Sequence, residues 1–228
     1  MSDATDIDPV AIGDRYRAVA DEARVLGGDR VRVVAVTKSF PATAIAAVVA
    51  AGCSRIGENY ARELIDKWER FVPVADGAPL PEVHFIGGLQ TNKVRSLASI
   101  VDVWQSVDRA SLIAELSRRR PGARVFLQVN ATSEADKSGC DPRDVESLAQ
   151  AAITGGLVVE GLMTLGPTDG DPGRTRAAFR TVARMATTLG LAEVSMGMSG
   201  DWRVAVEEGS TLIRVGSAIF GERPPRTP

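Results

Sequence analysis

Residues 31–53 read VRVVAVTKSFPATAIAAVVAAGC and contain one complete strand–turn–helix unit. Residues 31–36 are rich in β-branched side chains, which predicts a short buried strand. Pro41 predicts the start of a helix that reaches about Ala51, and Gly52 closes it, because glycine often follows the last helical turn. The stretch therefore predicts a β/α unit in which Lys38 directly follows the strand.

The same order recurs along the whole chain. Further strands are predicted at 54–57, 83–86, 100–104, 124–129, 157–162, 193–196 and 211–215. Helices are predicted at 60–71, 91–98, 109–119, 142–153, 173–189, 201–208 and 217–220, with loops at 73–81 and 130–141. An additional amphipathic helix at about 9–26 precedes the first strand, with Asp8 before Pro9 as its start signal.

Strands that alternate with helices predict a parallel sheet covered by helices. Eight units predict a closed (β/α)8 TIM barrel, and the 228 residues supply about 28 for each unit. The alternative is an open doubly wound sheet, which usually carries a glycine-rich turn after its first strand. Because Thr37 to Phe40 contains no glycine, we favour one barrel domain over 1–228 with an extra N-terminal helix.

Composition and charge exclude several classes of protein. The net charge of -2 provides no overall basic surface for a nucleic acid, and no apolar run approaches the length of a membrane helix. Residues 1–8 are acidic and polar, unlike a secretory signal. Cys53 and Cys140 lack metal-ligand spacing and predict reduced thiols in a cytoplasmic protein, with a disulfide as the alternative. The aromatic content of 5% does not indicate a large protein–protein interface rich in aromatic residues, so we expect a monomer.

The barrel interpretation also predicts where a site would lie. Active sites of such barrels form at the carboxyl ends of the strands. The polar, small or flexible residues at those predicted positions are Lys38, Glu58, Asn59, Gln90, Asn92, Gln105, Asn130, Met163, Thr164, Gly197, Met198, Ser199, Gly216 and Ser217.

The last two loops have the composition of an anion site. MGMSGD at 196–201 follows the seventh predicted strand, and RVGSAIFG at 214–221 spans the end of the eighth. Glycine permits close backbone approach, and free N–H groups at a helix start favour a phosphate. Ser199 and Ser217 would each add a hydroxyl donor. The alternative is that both loops are ordinary turns and helix caps.

Lys38 follows a strand too apolar to lie anywhere but in the core, so its side chain is expected in the barrel mouth. An amine with a lowered pKa reacts with aldehydes, although most lysines are merely solvated surface groups. A lysine opposite a phosphate cradle is the arrangement that holds a phosphorylated aldehyde as a Schiff base. His84 lies inside the third predicted strand and is expected to be a core residue. Because it is the one histidine in the sequence, a histidine-based metal cluster is excluded.

Six segments together resemble the YggS/PROSC family of pyridoxal 5′-phosphate (PLP) homeostasis proteins, in the order found in that family. They are AVTK at 35–38, IGENY at 56–60, HFIG with LQTNK at 84–93, GLMT at 161–164, SMGMS at 195–199 and RVGSAIFG at 214–221. The resemblance covers roughly residues 10–223. Gly88, Gly200 and Trp202 depart from the common pattern, but none of them belongs to the implied lysine or phosphate sites.

This resemblance implies a barrel related to the N-terminal domain of alanine racemase, with PLP bound as a Schiff base to Lys38. It implies that the phosphate is bound by Ser199, Gly216 and Ser217. It further implies that Arg214 faces the pyridine nitrogen and Asn59 lies near the cofactor. His84 and Met163 would line the pocket less directly.

The implied function is PLP homeostasis or supply with little or no catalysis, and PLP-dependent apoenzymes are the expected partners. An arginine at the pyridine nitrogen keeps that nitrogen unprotonated and so weakens the ring as an electron sink. The alternative is a PLP-dependent amino-acid racemase, which needs a second acid/base. Of the two tyrosines, Tyr16 lies on the leading helix and Tyr60 opens a later helix. A further alternative is a Schiff-base aldolase on the same barrel without any cofactor.

Overall fold

Eight short parallel strands form a closed barrel in which each strand pairs with its neighbours in chain order and β8 pairs with β1. The computed structural model describes residues 7–72 and 79–222, so residues 73–78 of the predicted loop lie outside the described part. The strands are β1 Arg32–Val36, β2 Arg55–Glu58, β3 Glu82–Phe85, β4 Val103–Val107, β5 Arg124–Gln128, β6 Val158–Met163, β7 Glu193–Ser195 and β8 Leu212–Val215. The predicted TIM barrel is confirmed.

The helices cover the outside of the barrel. They are α1 Pro9–Gly27, α2 Ala42–Ala50, α3 Ala61–Phe71, α4 Thr91–Leu97, α5 Ala110–Arg119, α6 Val145–Thr154, α7 Pro172–Thr188, α8 Trp202–Glu207 and α9 Ser217–Phe220. A turn of 3-10 helix, Pro142–Asp144, precedes α6. Within the two described ranges, no helix combines the length and the hydropathy needed to cross a bilayer.

Helix α1 is the predicted extra element and lies against the seam where the barrel closes. The Asp8 carboxylate accepts hydrogen bonds from the N–H groups of Val10 (3.0 Å) and Ala11 (3.1 Å), so it caps the helix as expected. Gly28 ends the helix with a φ of 75°, a conformation that favours glycine. The helix contacts α2, α8, α9 and β1.

Strand β4 lies three residues later than predicted. The carbonyl of Leu97 accepts hydrogen bonds from both Ile100 and Val101, so the chain is still turning there. The strand then continues through Gln105 and Ser106, two polar residues that are almost fully buried. The sequence pattern ends this strand too early because polar side chains ordinarily indicate a loop, whereas Gln105 and Ser106 lie inside the barrel.

The barrel contains two hydrophobic layers. A large outer cluster packs between the strands and the helices. A small inner cluster fills the barrel axis and consists of Val34, Val103, Phe126, Met163 and Leu212. The barrel is therefore a packed core with a site-bearing end and not a pore.

The amino-terminal end of the barrel is closed by charged side chains, which we call the charged ring. Three arginines and three glutamates form it: Arg32, Arg55, Glu82, Arg124, Glu160 and Glu193. Arg124 pairs with Glu82 at 2.6 Å and with Glu160 at 2.5 Å, and Arg55 pairs with Glu82 at 3.2 Å. Arg32 pairs with Glu193. Each member of the charged ring thus has a partner of opposite sign.

Candidate functional site

The turn after β1 presents Lys38 at the carboxyl end of the barrel. Thr37 continues the ladder by donating its N–H to the Gly57 carbonyl (3.1 Å), and Phe40 donates back to the Thr37 carbonyl (3.1 Å). Ser39 has a φ of 66°, in the left-handed region that non-glycine residues rarely adopt. Lys38 is half-buried between these fixed neighbours. Lys38 thus follows the carboxyl end of β1 in the closed barrel.

Asn59 lies beside Lys38 at the mouth. Val36 pairs with Gly57 across β1 and β2, and Lys38 and Asn59 each follow two residues later. The Asn59 Oδ1 atom is buried, and within residues 7–72 and 79–222 it finds no hydrogen-bond partner. A buried polar atom without a partner is costly, and Arg32 Nε, Glu58 Oε2, Trp104 Nε1 and Ser117 Oγ share this state.

The loops after β7 and β8 meet at Ser199. Its Oγ atom accepts hydrogen bonds from the backbone N–H groups of Gly216 (3.2 Å) and Ala218 (3.3 Å). These N–H groups open the last helical turn, in which Ser217 is the first residue and is exposed. The two loops predicted to hold an anion are therefore joined into one cradle of donors.

Two glycines shape this cradle for different reasons. Gly197 has a φ of 93°, and a Cβ there would lie 2.6 Å from the Ala205 side chain, so the fold itself requires glycine. Gly216 has a φ of -116°, which any residue adopts. A Cβ on Gly216 would only reach ordinary contact with Val36, at 3.4 Å and beyond. Protein packing alone does not require a glycine at 216, whereas a ligand approaching its N–H would.

Arg214 is a buried cation next to this cradle. Its guanidinium donates to Ser195 Oγ (2.7 Å) and to the Thr164 carbonyl (2.8 Å), and 3% of the residue is exposed. Its backbone N–H donates to the Gly197 carbonyl (2.9 Å). Burial lowers the pKa of Arg214 to about 10, so the side chain remains a cation at neutral pH.

A chain of hydrogen bonds, the polar relay, runs from Arg214 down the barrel axis. Ser195 Oγ donates to Gln105 Oε1 (2.6 Å), and Gln105 Nε2 lies 2.6 Å from His84 Nδ1. His84 Nε2 lies 2.7 Å from Glu82 Oε1 in the charged ring. Since an amide nitrogen only donates, Nδ1 accepts and Nε2 carries the proton. Every donor in the relay therefore points from Arg214 toward Glu82.

His84 and Met163 lie deeper than the mouth. His84 is buried within β3, as the sequence predicted, and burial lowers its pKa so that it stays neutral. Its hydrogen-bonded connection to Arg214 runs through Gln105 and Ser195. Met163 ends β6 and packs in the inner cluster.

Three candidates from the list of strand ends are placed elsewhere. Gln105 lies in the middle of β4 and not at its end, because this strand begins later than predicted. Glu58 sends its carboxylate outward to Lys67 of α3. Asn130 holds its own loop, with Nδ2 donating to the Glu134 carbonyl at 2.8 Å.

Sequence reasoning missed Ser195 and Glu82, the two ends of the connection between Arg214 and the charged ring. The signal for both is strand parity, because alternate residues of a strand point to the same side.

Among the described residues, no group of three or more histidine, cysteine or acidic side chains could hold a metal. Cys53 and Cys140 are buried free thiols.

The model for the N-terminal domain of alanine racemase matches residues 7–224. A pyridoxal phosphate homeostasis protein of Vibrio cholerae is 38% identical over 85% of this chain and 86% of that protein. The structure of PipY from Synechococcus elongatus with PLP bound is 32% identical with a TM-score of 0.79, over 92% of this chain and 100% of that one.

A more distant structure shares the fold. Alanine racemase from Corynebacterium glutamicum is 18% identical with a TM-score of 0.74, over 96% of this chain and 62% of that chain. The match to the family model over residues 7–224 and the 38% identity to the Vibrio cholerae protein show which family the chain belongs to. The chain belongs to the alanine racemase N-terminal domain family and, within it, to the family of the pyridoxal phosphate homeostasis proteins.

Proposed function

We propose that this chain binds PLP as a Schiff base on Lys38 and acts in PLP homeostasis or supply, with little or no catalysis of its own. The observation that carries the proposal is the meeting, at one end of the barrel, of Lys38, the Ser199 cradle and the buried Arg214 cation. The name of the Vibrio cholerae relative and the PLP in the PipY structure support it.

PLP fits the groups that the mouth offers. Its phosphate is an anion that would accept hydrogen bonds from the N–H groups of Gly216 and Ala218. The hydroxyls of Ser199 and Ser217 lie beside these groups. The unpartnered Asn59 Oδ1 is an acceptor for a polar group of the cofactor. Met163 and His84 would close the pocket from below without holding the cofactor directly.

The covalent step is a condensation at Lys38 Nζ. The neutral amine attacks the aldehyde carbon of PLP, a C=N bond replaces the C=O bond, and one water leaves. The cofactor supplies the aldehyde, and the chain supplies the amine and the surfaces that orient it. The step is reversible because water can hydrolyse the same bond, as a carrier requires.

Arg214 supports a carrier role rather than an enzyme. A guanidinium held by Ser195 and the Thr164 carbonyl would face the pyridine nitrogen as a donor and keep that nitrogen unprotonated. An unprotonated ring stabilises carbanions poorly, so we assign no catalytic residue. The alternative racemase would need a second acid/base, and Tyr60, 40% exposed beside Asn59, is the residue to test.

The setting we propose is the cytoplasm, with the chain acting as a monomer on a small molecule. The buried free thiols and the net charge of -2 support that setting. PLP-dependent apoenzymes are the proposed recipients, and neither a nucleic acid nor a membrane is a proposed partner.

Titration with PLP followed by visible absorbance tests the proposal. The protein should turn yellow with one PLP per chain, and Lys38→Ala should stay colourless. The racemase alternative predicts loss of optical activity from single D- or L-amino acids, abolished by both Lys38→Ala and Tyr60→Phe. A wild-type protein that stays colourless at saturating PLP would overturn PLP binding, and rapid racemisation would overturn the carrier role.

A further inference from the structure

Lys67 is a buried lysine that sits behind the turn bearing Lys38. It lies on α3, and only 6% of the residue is exposed. Its Nζ atom donates to the Thr37 carbonyl (2.7 Å) and contacts carboxylate oxygens of Glu58 (2.5 Å) and Glu63 (2.8 Å). An ammonium group has three N–H bonds, so these three acceptors satisfy it completely.

Glu63 reaches the other side of the same turn. Its Oε1 atom accepts a hydrogen bond of 2.5 Å from the backbone N–H of Ser39. Ser39 holds the left-handed conformation in this turn, and such a residue persists only where its surroundings hold it in place. The carboxylate of Glu63 therefore fixes the backbone immediately after Lys38.

Glu58 completes the arrangement from β2. Its Oε1 atom accepts from Thr37 Oγ1 at 2.6 Å as well as from Lys67, and the residue is fully buried. The backbone on both sides of Lys38 is thus held by Lys67, Glu58 and Glu63, through Thr37 on one side and Ser39 on the other. We call Lys67, Glu58 and Glu63 the clamp.

We propose that the clamp positions Lys38 for reaction with the aldehyde, and that Lys67 and Glu63 are its principal positioning residues. The proposal rests on the proposed function, since it assigns the clamp a role in loading Lys38. The observation that carries the proposal is that the clamp contacts both the residue before Lys38 and the residue after it. The clamp touches Thr37 and Ser39, so it sets the direction in which the side chain between them leaves the backbone.

Two ligands separate this role from general support of the fold. PLP uses both the amine and the cradle, whereas pyridoxine 5′-phosphate lacks the aldehyde and uses the cradle and ring contacts alone. The variants are Lys67→Met and Glu63→Ala, with Lys93→Met as the matched control because Lys93 is an exposed lysine on α4. Glu63→Gln is the conservative variant, since its amide oxygen can still accept from Ser39.

We expect imine formation with PLP to slow about tenfold or more in Lys67→Met and Glu63→Ala, because small misplacements of a reacting group carry large rate penalties. Binding of pyridoxine 5′-phosphate should stay within about twofold of wild type, since these variants touch no group of the cradle. Glu63→Gln should recover most of the rate, and Lys93→Met should behave as wild type. Circular dichroism at the assay temperature verifies that each variant is folded.

The clamp proposal is overturned if folded Glu63→Ala forms the imine at the wild-type rate, or if both ligands weaken together. Should Lys67→Met fail to fold, Glu63→Ala decides alone, because its side chain is 28% exposed and lies at the edge of the cluster. Failure of the proposed function appears differently, as a wild-type protein that forms no imine at all.

Discussion

The two ends of the barrel differ in how their polar groups are satisfied. At the amino-terminal end, every member of the charged ring has an ion-pair partner within the ring, around a cavity of about 260 Å³. At the mouth, Asn59 Oδ1 has no partner in the described part of the chain, and the N–H groups of Gly216 and Ala218 share one serine hydroxyl. One end is a network of ion pairs, in which Arg32 Nε alone of the ring's buried atoms finds no hydrogen-bond partner among the described residues, whereas the other end gathers Lys38, Asn59 and the Ser199 cradle.

The difference separates stability from function within a single fold, as expected for barrels of this type. The polar relay joins the two ends, because it begins at Arg214 near the cradle and finishes at Glu82 in the charged ring. Variants at the mouth should therefore affect PLP loading, variants in the charged ring should affect stability, and variants in the relay should affect both.

The largest effect is expected at the mouth. Lys38→Ala should abolish covalent loading because no amine remains, while its melting temperature stays within about 2 °C of wild type, as for most changes outside the core. Calorimetry and absorbance titration measure the two quantities. Lys93→Ala is the control and should load normally. Unfolding of Lys38→Ala at room temperature would contradict the placement of Lys38 at the mouth.

The relay should show a mixed effect. Arg214→Met leaves the Thr164 carbonyl and Ser195 Oγ without their donor, which should cost about 2–3 kcal/mol of stability in urea denaturation. PLP should also bind more weakly, because the group proposed to face its ring nitrogen is lost. Ser195→Ala should have a smaller effect of the same kind, at about 1 kcal/mol. Unchanged PLP affinity in folded Arg214→Met would remove Arg214 from the site.

The charged ring should show an effect on stability alone. Arg124→Met breaks the pairs with Glu82 and Glu160, which are partly exposed, so the expected loss is about 1–2 kcal/mol. PLP loading should not change. The matched control is Arg62→Met, since Arg62 is 93% exposed and should be neutral within about 0.5 kcal/mol. A loading defect in Arg124→Met would mean that the two ends are not separate.

The smallest effect concerns pH. The hydrogen bond from His84 and the contact with Arg124 lower the pKa of Glu82 from its ordinary value of 4.5. A lowered folded-state pKa stabilises the protein above pH 4.5, and this stabilisation is lost as the pH falls. The free energy of unfolding should fall less steeply below pH 4.5 in Glu82→Gln than in the wild type. The difference should be about 1 kcal/mol after allowance for solvent screening.

The burial of His84 acts in a different range. Because burial lowers the pKa of His84 below 6.5, its contribution is present above pH 6.5 and falls away as the pH decreases. That slope, which begins as the pH falls below 6.5, should persist in Glu82→Gln. Chemical denaturation at a series of pH values resolves the two limbs, and an unchanged limb below pH 4.5 would contradict the assignment to Glu82.

The fold and the position of the mouth were predictable from sequence because both depend on the order of strands and helices along the chain. Alternating strands and helices predict the barrel, and the barrel predicts that Lys38, Asn59, Ser199 and Gly216 meet at one end. Strand β4 was misplaced because Gln105 is polar and yet buried in the barrel interior. Its partners, Ser195 and His84, come from distant parts of the chain, and only the closed barrel brings them together.

The clamp was not predictable for a related reason. Glu63 and Lys67 are four residues apart on a helix, a spacing that ordinarily indicates a solvated surface pair. The burial of Lys67 depends on Glu58 facing outward from β2 and on the turn at Thr37 lying above α3. These are tertiary facts that no local pattern contains.

The central claim is that Lys38 is the residue that carries PLP, and borohydride reduction followed by peptide mass mapping tests it most directly. After incubation with PLP and reduction, we predict a pyridoxyl-phosphate adduct on the peptide containing Lys38 and on no peptide containing Lys67, Lys93 or Lys137. An adduct confined to another lysine, or a wild-type protein without any adduct, would contradict the account.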